Sequence, residues 1–341
     1  MIAEFTVENF YSIRLTQKIS FEPSSDSFML DEYTYEVKDG VRLLKVGIIY
    51  GANASGKSNV LGAIDFFKML VLSNDTTRVV PFLLDETSKT KTTKMSMSFY
   101  VNQLKYILSF ELDKKRVYSE TLTVYESVRP TKLYSRSYDP YTDSSVIEFG
   151  TNLKMAKKNQ DIIAGNTINN CSVLAAFGNC NVGKTKLNDV YNYFAKQVKD
   201  VLAPGMLLSG YVKRHLDKDK DGNLKKFILN FLKDSDFNIE DVTLHEEELI
   251  TPELEQLIQK VPIADDAKSE MLKKGKITNT ELTFTHRTGN GLYELSEEYE
   301  SNGTMRFLGM AIILNFLLKN NQFVPIDEVE TSIHYELLSY L

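Results

Sequence analysis

Polarity alternates along Met1 to Phe21, with a break around Glu8 and Asn9, and predicts two strands joined by a turn. Leu43 to Tyr50 is a β-rich apolar run that predicts a buried strand. From Ser58 to Ser73 the apolar residues Leu61, Ile64, Phe67 and Val71 recur at the spacing of one helix face. Between Lys94 and Tyr138 three alternating segments sit around the turn-like "NQ" and "DKK", which predicts an antiparallel meander beside the main sheet. After residue 150 the texture turns helical through "CSVLAAF", "DVYNYFAKQVKDVL", "NLKKFILNFLK", "TPELEQLIQKV" and "DDAKSEMLKKG". It returns to a strand at "ELTFTHR", then to an apolar helix over 304–319 and a strand from Phe323 to Ile326. There is no internal repeat and no sustained heptad run, which argues against a long coiled coil.

Composition narrows the class. A chain of 341 residues with 43% apolar content can bury a large core. The start "MIAEFTVENF" has an early glutamate and no basic-then-apolar order, so no secretory signal is expected. The longest apolar run, Phe307 to Leu318, is too short to span a bilayer; we expect a cytoplasmic protein with no membrane partner. Cys171 and Cys180 form no CxxC pair, and His215, His245, His286 and His334 are scattered, so free thiols are expected and no zinc site. A net charge of −6 argues against a surface built throughout for nucleic acid and leaves a local basic groove open.

The chemistry enters at "IIYGANASGKSNVL", where Gly51, Gly56, Lys57 and Ser58 satisfy G-x-x-x-x-G-K-[ST] between a predicted strand and a predicted helix. Glycines let backbone N–H groups wrap a β-phosphate, Lys57 reaches the β- and γ-phosphates, and the Ser58 hydroxyl ligates Mg2+. Asn53 and Asn59 complete the predicted ATP-binding loop. A second match, "GNCNVGKT" with Gly178, Gly183, Lys184 and Thr185, follows a helical segment and lacks the feeding strand, so it reads as a polar connection. "DKDKDGNLKKFI" imitates a calcium loop but has Ile228 where a bidentate glutamate belongs, and reads as a charged turn.

Hydrolysis needs a second acidic element, and "FVPIDEVETSIH" supplies it. Asp327 can hold the Mg2+ shell, and Glu328, one residue on, can polarise the attacking water as the catalytic base. Pro325 is awkward there, because it removes a ladder donor. Ser301, Gly303 and Thr304 stand before the long apolar helix and offer a hydroxyl and free N–H groups as a second anion site.

These segments, with "FTVENFYSI", "FILNFLKDSDFNIEDVTL" and "THRTGNGLYELSEEYESNGTMRFLGMA", resemble the ABC/SMC-type ATP-binding proteins of restriction-linked and abortive-infection loci, the RloA-like group related to RecF and the OLD nucleases. The resemblance covers most of the chain in order. It implies an α/β, ABC-type P-loop NTPase head with an antiparallel β subdomain and an inserted helical lobe, divided as 1–150, 151–280 and 281–341. By that resemblance Gly51, Gly56, Lys57 and Ser58 are Walker A, Asp327 is the Walker B acid, Glu328 the catalytic glutamate, Ser301 and Gly303 the signature, and the turn at Ser332, Ile333 and His334 the D-loop. Tyr335 stands where the family pattern has proline, and no glutamine-lid residue is placed. The sequence ends at Leu341, soon after Asp327, which implies either a partial chain or weak hydrolysis by this chain alone.

The implied partners are a second copy, as a homodimer or higher homo-oligomer, and a separate effector protein, a nuclease or toxin, in antiphage defence. A RecF-like DNA clamp is the second reading, with Lys154, Lys157, Lys158, Lys225, Lys226, Lys273, Lys274 and Lys276 as its basic candidates; a nucleotide-gated scaffold with little turnover is the third. The long sequence separation of Lys57 and Asp327 argues against a transporter subunit. No guanine-reading [NT]KxD stands in a convincing strand-end context, which argues against a GTPase.

Overall fold

The computed structural model describes residues 1–25, 28–206, 208–235, 237–249, 256, 258, 260, 268 and 277–329. Chain contacts divide it into two compact units, Met1–Leu202 with Asn320–Asp327, and Ala203–Lys319 with Glu328–Leu341.

The first unit is built on the predicted meander. Strands β1 (Ile2–Glu8) and β2 (Gln17–Ser20) form the N-terminal hairpin, with Phe5 opposite Ile19. A short helix α1 (Leu30–Tyr33) leads into the separate hairpin of β3 (Thr34–Lys38) and β4 (Val41–Leu44). Helix α2 (Lys57–Leu72) and the single turn α3 (Glu86–Lys89) precede β5 (Thr93–Val101), β6 (Leu104–Leu112), β7 (Val117–Tyr125), β8 (Thr131–Asp139) and β9 (Ser144–Phe149). The strands join in the order β2-β1-β5-β6-β7-β8-β9, each neighbouring pair antiparallel, so the meander is longer than predicted and absorbs the N-terminal hairpin.

Period-two alternation gives this sheet one apolar face, carrying Met95, Met97 and Phe99 from β5. Helix α2 lies on the core with Ala63, Ile64, Phe66, Phe67, Leu70 and Val71 buried. Phe67 meets Phe5 and Phe110 edge-on, at 5.8 and 5.2 Å between ring centroids. Such contacts add about 0.5–1.5 kcal/mol each beyond area burial and fix the helix whose start carries the glycine loop.

The predicted buried strand from Leu43 to Tyr50 is corrected. Leu43 and Leu44 close β4, whereas 45–50 pair with no strand among the described residues, and Ile48 and Tyr50 are 83% and 91% exposed. An apolar run specifies a strand only when a second backbone lies alongside to take its N–H and C=O groups.

Helices α4 (Lys157–Asn166), α5 (Val173–Gly178) and α6 (Lys186–Asn192) follow. The helix predicted over "DVYNYFAKQVKDVL" stops early, in one π-helical turn at Tyr193–Gln197. From there the chain extends parallel to Phe323–Asp327: Phe323 N–H donates to Gln197 C=O at 2.7 Å and Lys199 N–H to Phe323 C=O at 2.8 Å. Val198 faces Phe323 and Leu202 faces Ile326, so the first strand spends one residue more than the second. This bulge sits opposite Pro325, where the ring removes the donor that an even ladder would use.

The second unit has α7 (Ser209–Asp217), α8 (Asn223–Asp234), β10 (Ile239–Leu249), β11 (Ile277–Thr288), β12 (Gly291–Ser296) and α9 (Asn302–Asn320). Its sheet is antiparallel with β11 in the centre. Strand β10 lies between the predicted helices "NLKKFILNFLK" and "TPELEQLIQKV"; the second of these and "DDAKSEMLKKG" fall mostly outside the described residues. Phe307 of α9 stacks on Phe231 and on Phe237, each at 5.0 Å between centroids. Helix α9 begins at Asn302, two residues before the predicted start.

Candidate nucleotide site

Gly56 is the residue from which α2 springs, with φ 95° and ψ 10°. That left-handed backbone costs an L side chain roughly 1–2 kcal/mol, and a Cβ there would lie 2.8 Å from Ser12 Oγ. The glycine is required twice over, by conformation and by space. No side chain caps α2, and the amides of Lys57, Ser58 and Asn59 have no hydrogen-bond acceptor among the described residues. Bare first-turn amides at the positive end of a 16-residue helix form a cradle for an anion.

The Lys57 ammonium folds back over the loop and donates to the carbonyls of Gly51 at 2.9 Å and Ala52 at 3.1 Å. Gly51 and Asn53 are exposed, as is Ser58, while Asn59 is half-buried. Ala54 adds a second left-handed residue, φ 61°. The lysine and the glycine loop are thus in direct contact.

Two residues escaped the sequence reading. Ser12 accepts a 2.7 Å hydrogen bond from the Asn59 side chain. It sits in a hook after β1 that Asn9 holds: the buried Asn9 amide donates to the carbonyls of Ser88 and Lys91, and its oxygen accepts from Phe82 N–H at 3.0 Å. Asn9 and Tyr11 both take positive φ, 55° and 50°. The "ENFYSI" hook therefore braces the glycine loop across a long sequence distance; an asparagine directly after a strand was the available signal.

Asp327 is half-buried at the end of the parallel pair, its N–H donating to Leu202 C=O at 3.0 Å. Glu328 follows with φ 47°, a conformation rare outside glycine and asparagine, and its carbonyl accepts from Arg306 Nη2 at 3.5 Å. In the second unit Ser301 caps α9, its Oγ accepting from Thr304 N–H at 2.9 Å. Gly303 lies in the first turn, and the amides of Asn302 and Gly303 have no acceptor among the described residues. The predicted D-loop residues Ser332, Ile333 and His334, and Tyr335 after them, lie outside the described residues, as do Lys273, Lys274 and Lys276.

The decoys have structural roles. Thr185 caps the short α6 in a reciprocal box with Asn188. Asp219 accepts from the N–H groups of Leu224 and Lys225 at the start of α8. Of the clamp candidates, Lys157 pairs with Asp161 at 3.1 Å and Lys225 with Asp241 at 2.7 Å, which consumes part of their charge.

Residues 48–159 match the family described as "AAA domain, putative AbiEii toxin, Type IV TA system". Over those residues the chain is similar to an AAA domain. The match begins inside the segment that feeds the glycine loop and runs past β9, so it takes in the loop and strands β5 to β9 and leaves out β1 and β2. No curated protein matches the chain. Among solved structures it is similar to an SMC head domain from Thermotoga maritima, at 12% identity and a TM-score of 0.40, over 99% of this chain and 81% of that one. Among the described residues no helix is long and apolar enough to cross a membrane.

Proposed function

We propose that this AAA domain binds and hydrolyses ATP with Mg2+, and that ATP closes a homodimer which controls a separate effector in antiphage defence. The observation that carries the nucleotide reading is the set of bare amides on Lys57, Ser58 and Asn59 above a left-handed Gly56, with an ammonium poised over the same loop. The AbiEii toxin named in the family's description supports the defence context.

In this reading Lys57 leaves the carbonyls of Gly51 and Ala52 for the β- and γ-phosphate oxygens, while the first-turn amides take the β-phosphate. The Ser58 hydroxyl and the Asp327 carboxylate would hold Mg2+, which when bound neutralises charge on the transferring phosphoryl group. Glu328 accepts the proton of the attacking water. The free amides of Asn302 and Gly303, beside Ser301, meet the γ-phosphate carried by a second copy.

Native mass spectrometry of Glu328→Gln protein purified from its own host with Mg-ATP tests this. A stoichiometric second protein on an ATP-closed dimer is expected. A bare homodimer moves weight to the DNA clamp, and a monomer indifferent to ATP removes the dimer mechanism.

A further inference from the structure

The segment leading into α9 is acidic, with Glu297, Glu298 and Glu300 in the five residues before Asn302. A carboxylate beside the start of a helix is attracted to its free amides, as any anion is. Glu300 is the nearest of the three and the most enclosed, its side chain 5% exposed, directly before the capping Ser301. It is held elsewhere: His286 Nε2 donates to its carboxylate at 2.5 Å. His286 lies on the central strand β11, opposite Ile239 on one side and Tyr293 on the other, so its backbone is anchored by two neighbouring strands. Glu297 is tied off by Lys213 in the same way.

We infer that His286 is a positioning residue that holds the Glu300 carboxylate away from the amides of Asn302 and Gly303, keeping the start of α9 open to the phosphate of a second copy's ATP. This rests on the proposed ATP-closed dimer. Released from His286, Glu300 becomes a tethered anion within a residue or two of those amides, and its high local concentration makes it a competitor of the γ-phosphate. Its competition is the same whether or not the phosphate loop of the same chain is filled, so loss of His286 weakens closure and leaves nucleotide binding by the monomer unchanged.

The test measures the ATP concentration for half-maximal dimer by analytical ultracentrifugation, with Mg-ATP, in full-length Glu328→Gln protein. Adding His286→Ala is expected to raise that concentration about tenfold, the scale of a well-placed charge at a helix start. Adding Glu300→Gln to that variant restores it to within about twofold, because the competing charge is gone. His286→Gln, which keeps an N–H donor, behaves as the parent and serves if the alanine variant folds poorly. Fluorescent ATP binding to the monomer stays within about twofold throughout. A dimer insensitive to His286→Ala, or a defect that Glu300→Gln does not relieve, overturns the inference and leaves the ATPase reading standing. A Glu328→Gln parent that stays monomeric in ATP overturns the dimer reading and the inference together.

Discussion

The Asn59 side chain donates to the Ser12 hydroxyl across 2.7 Å, tying the first turn of α2 to the hook after β1. Removing that hydroxyl loosens the loop without touching phosphate. Ser12→Ala is expected to weaken ATP binding by about 1 kcal/mol, roughly fivefold, with little change in melting temperature. Titration with a fluorescent ATP analogue checks it; unchanged affinity would remove Ser12 from the site.

Gly56→Ala separates conformation from space. The substitution meets both the left-handed φ of 95° and the contact with Ser12 Oγ. ATP affinity should fall at least tenfold, and combining it with Ser12→Gly should recover only part of the loss, since about 1–2 kcal/mol of backbone cost remains. Recovery to the affinity of Ser12→Gly alone would show that space alone demanded glycine.

A buried polar network closes the far end of the sheet. Arg136, 2% exposed, donates to the carbonyls of Cys171, Ile168 and Asn169, while Glu120 accepts from Tyr134 OH and Val173 N–H. Burial pushes the Glu120 carboxyl up and the Arg136 guanidinium down, each partly offset by the other's charge. Arg136→Met strands the carboxylate and three carbonyls, and should cost about 3–5 kcal/mol in urea denaturation. Glu120→Gln with Arg136→Met should cost less than Arg136→Met alone, the signature of a coupled pair.

Acid stability has a local origin in Asp85. Hydrogen bonds from the Ser88 and Thr87 hydroxyls hold its carboxyl at about 2, down from 3.8. A depressed carboxyl pKa contributes stability in full above the unfolded value and loses it as pH falls through the folded one. Asp85→Asn should therefore flatten thermal stability between pH 3.8 and about 2 and leave the shape of the curve above that window unchanged. A parallel downward shift at every pH would assign Asp85 a purely neutral capping role.

Helix α9 approaches its own unit closely at Gly309, where a Cβ would fall 2.4 and 2.5 Å from Leu208 Cδ1 and Cβ. Gly309→Ala should destabilise by about 1–3 kcal/mol despite alanine's better helix propensity. Differential scanning calorimetry reads the sign: a stabilised variant would mean that Leu208 moves aside freely.

The glycine loop was legible because its demands are on the backbone, and Gly51, Gly56, Lys57 and Ser58 advertise them within eight positions. The meander was legible from strict alternation, as in Met95, Met97 and Phe99. Strand β10 was not, since a register shift between Ile239 and Asp241 breaks its alternation and the sequence runs through three consecutive glutamates, Glu246 to Glu248. Ser12 was hidden because its partner Asn59 is distant in sequence, and pairwise contacts of that kind leave no periodic trace. The run through Ile48 and Tyr50 misled because apolarity reports the capacity to be covered, not the presence of a cover.

Pro325 also bears on how the chain finds its fold. Parallel strands can slide by one residue during assembly, and each slip turns every side chain to the opposite face. An unslipped ladder would call on an N–H at position 325 that the proline ring lacks, so the even register forfeits a hydrogen bond that the bulged register never requires. The proline thus disfavours the even register, and the bulged one brings the Leu202 carbonyl to the Asp327 N–H.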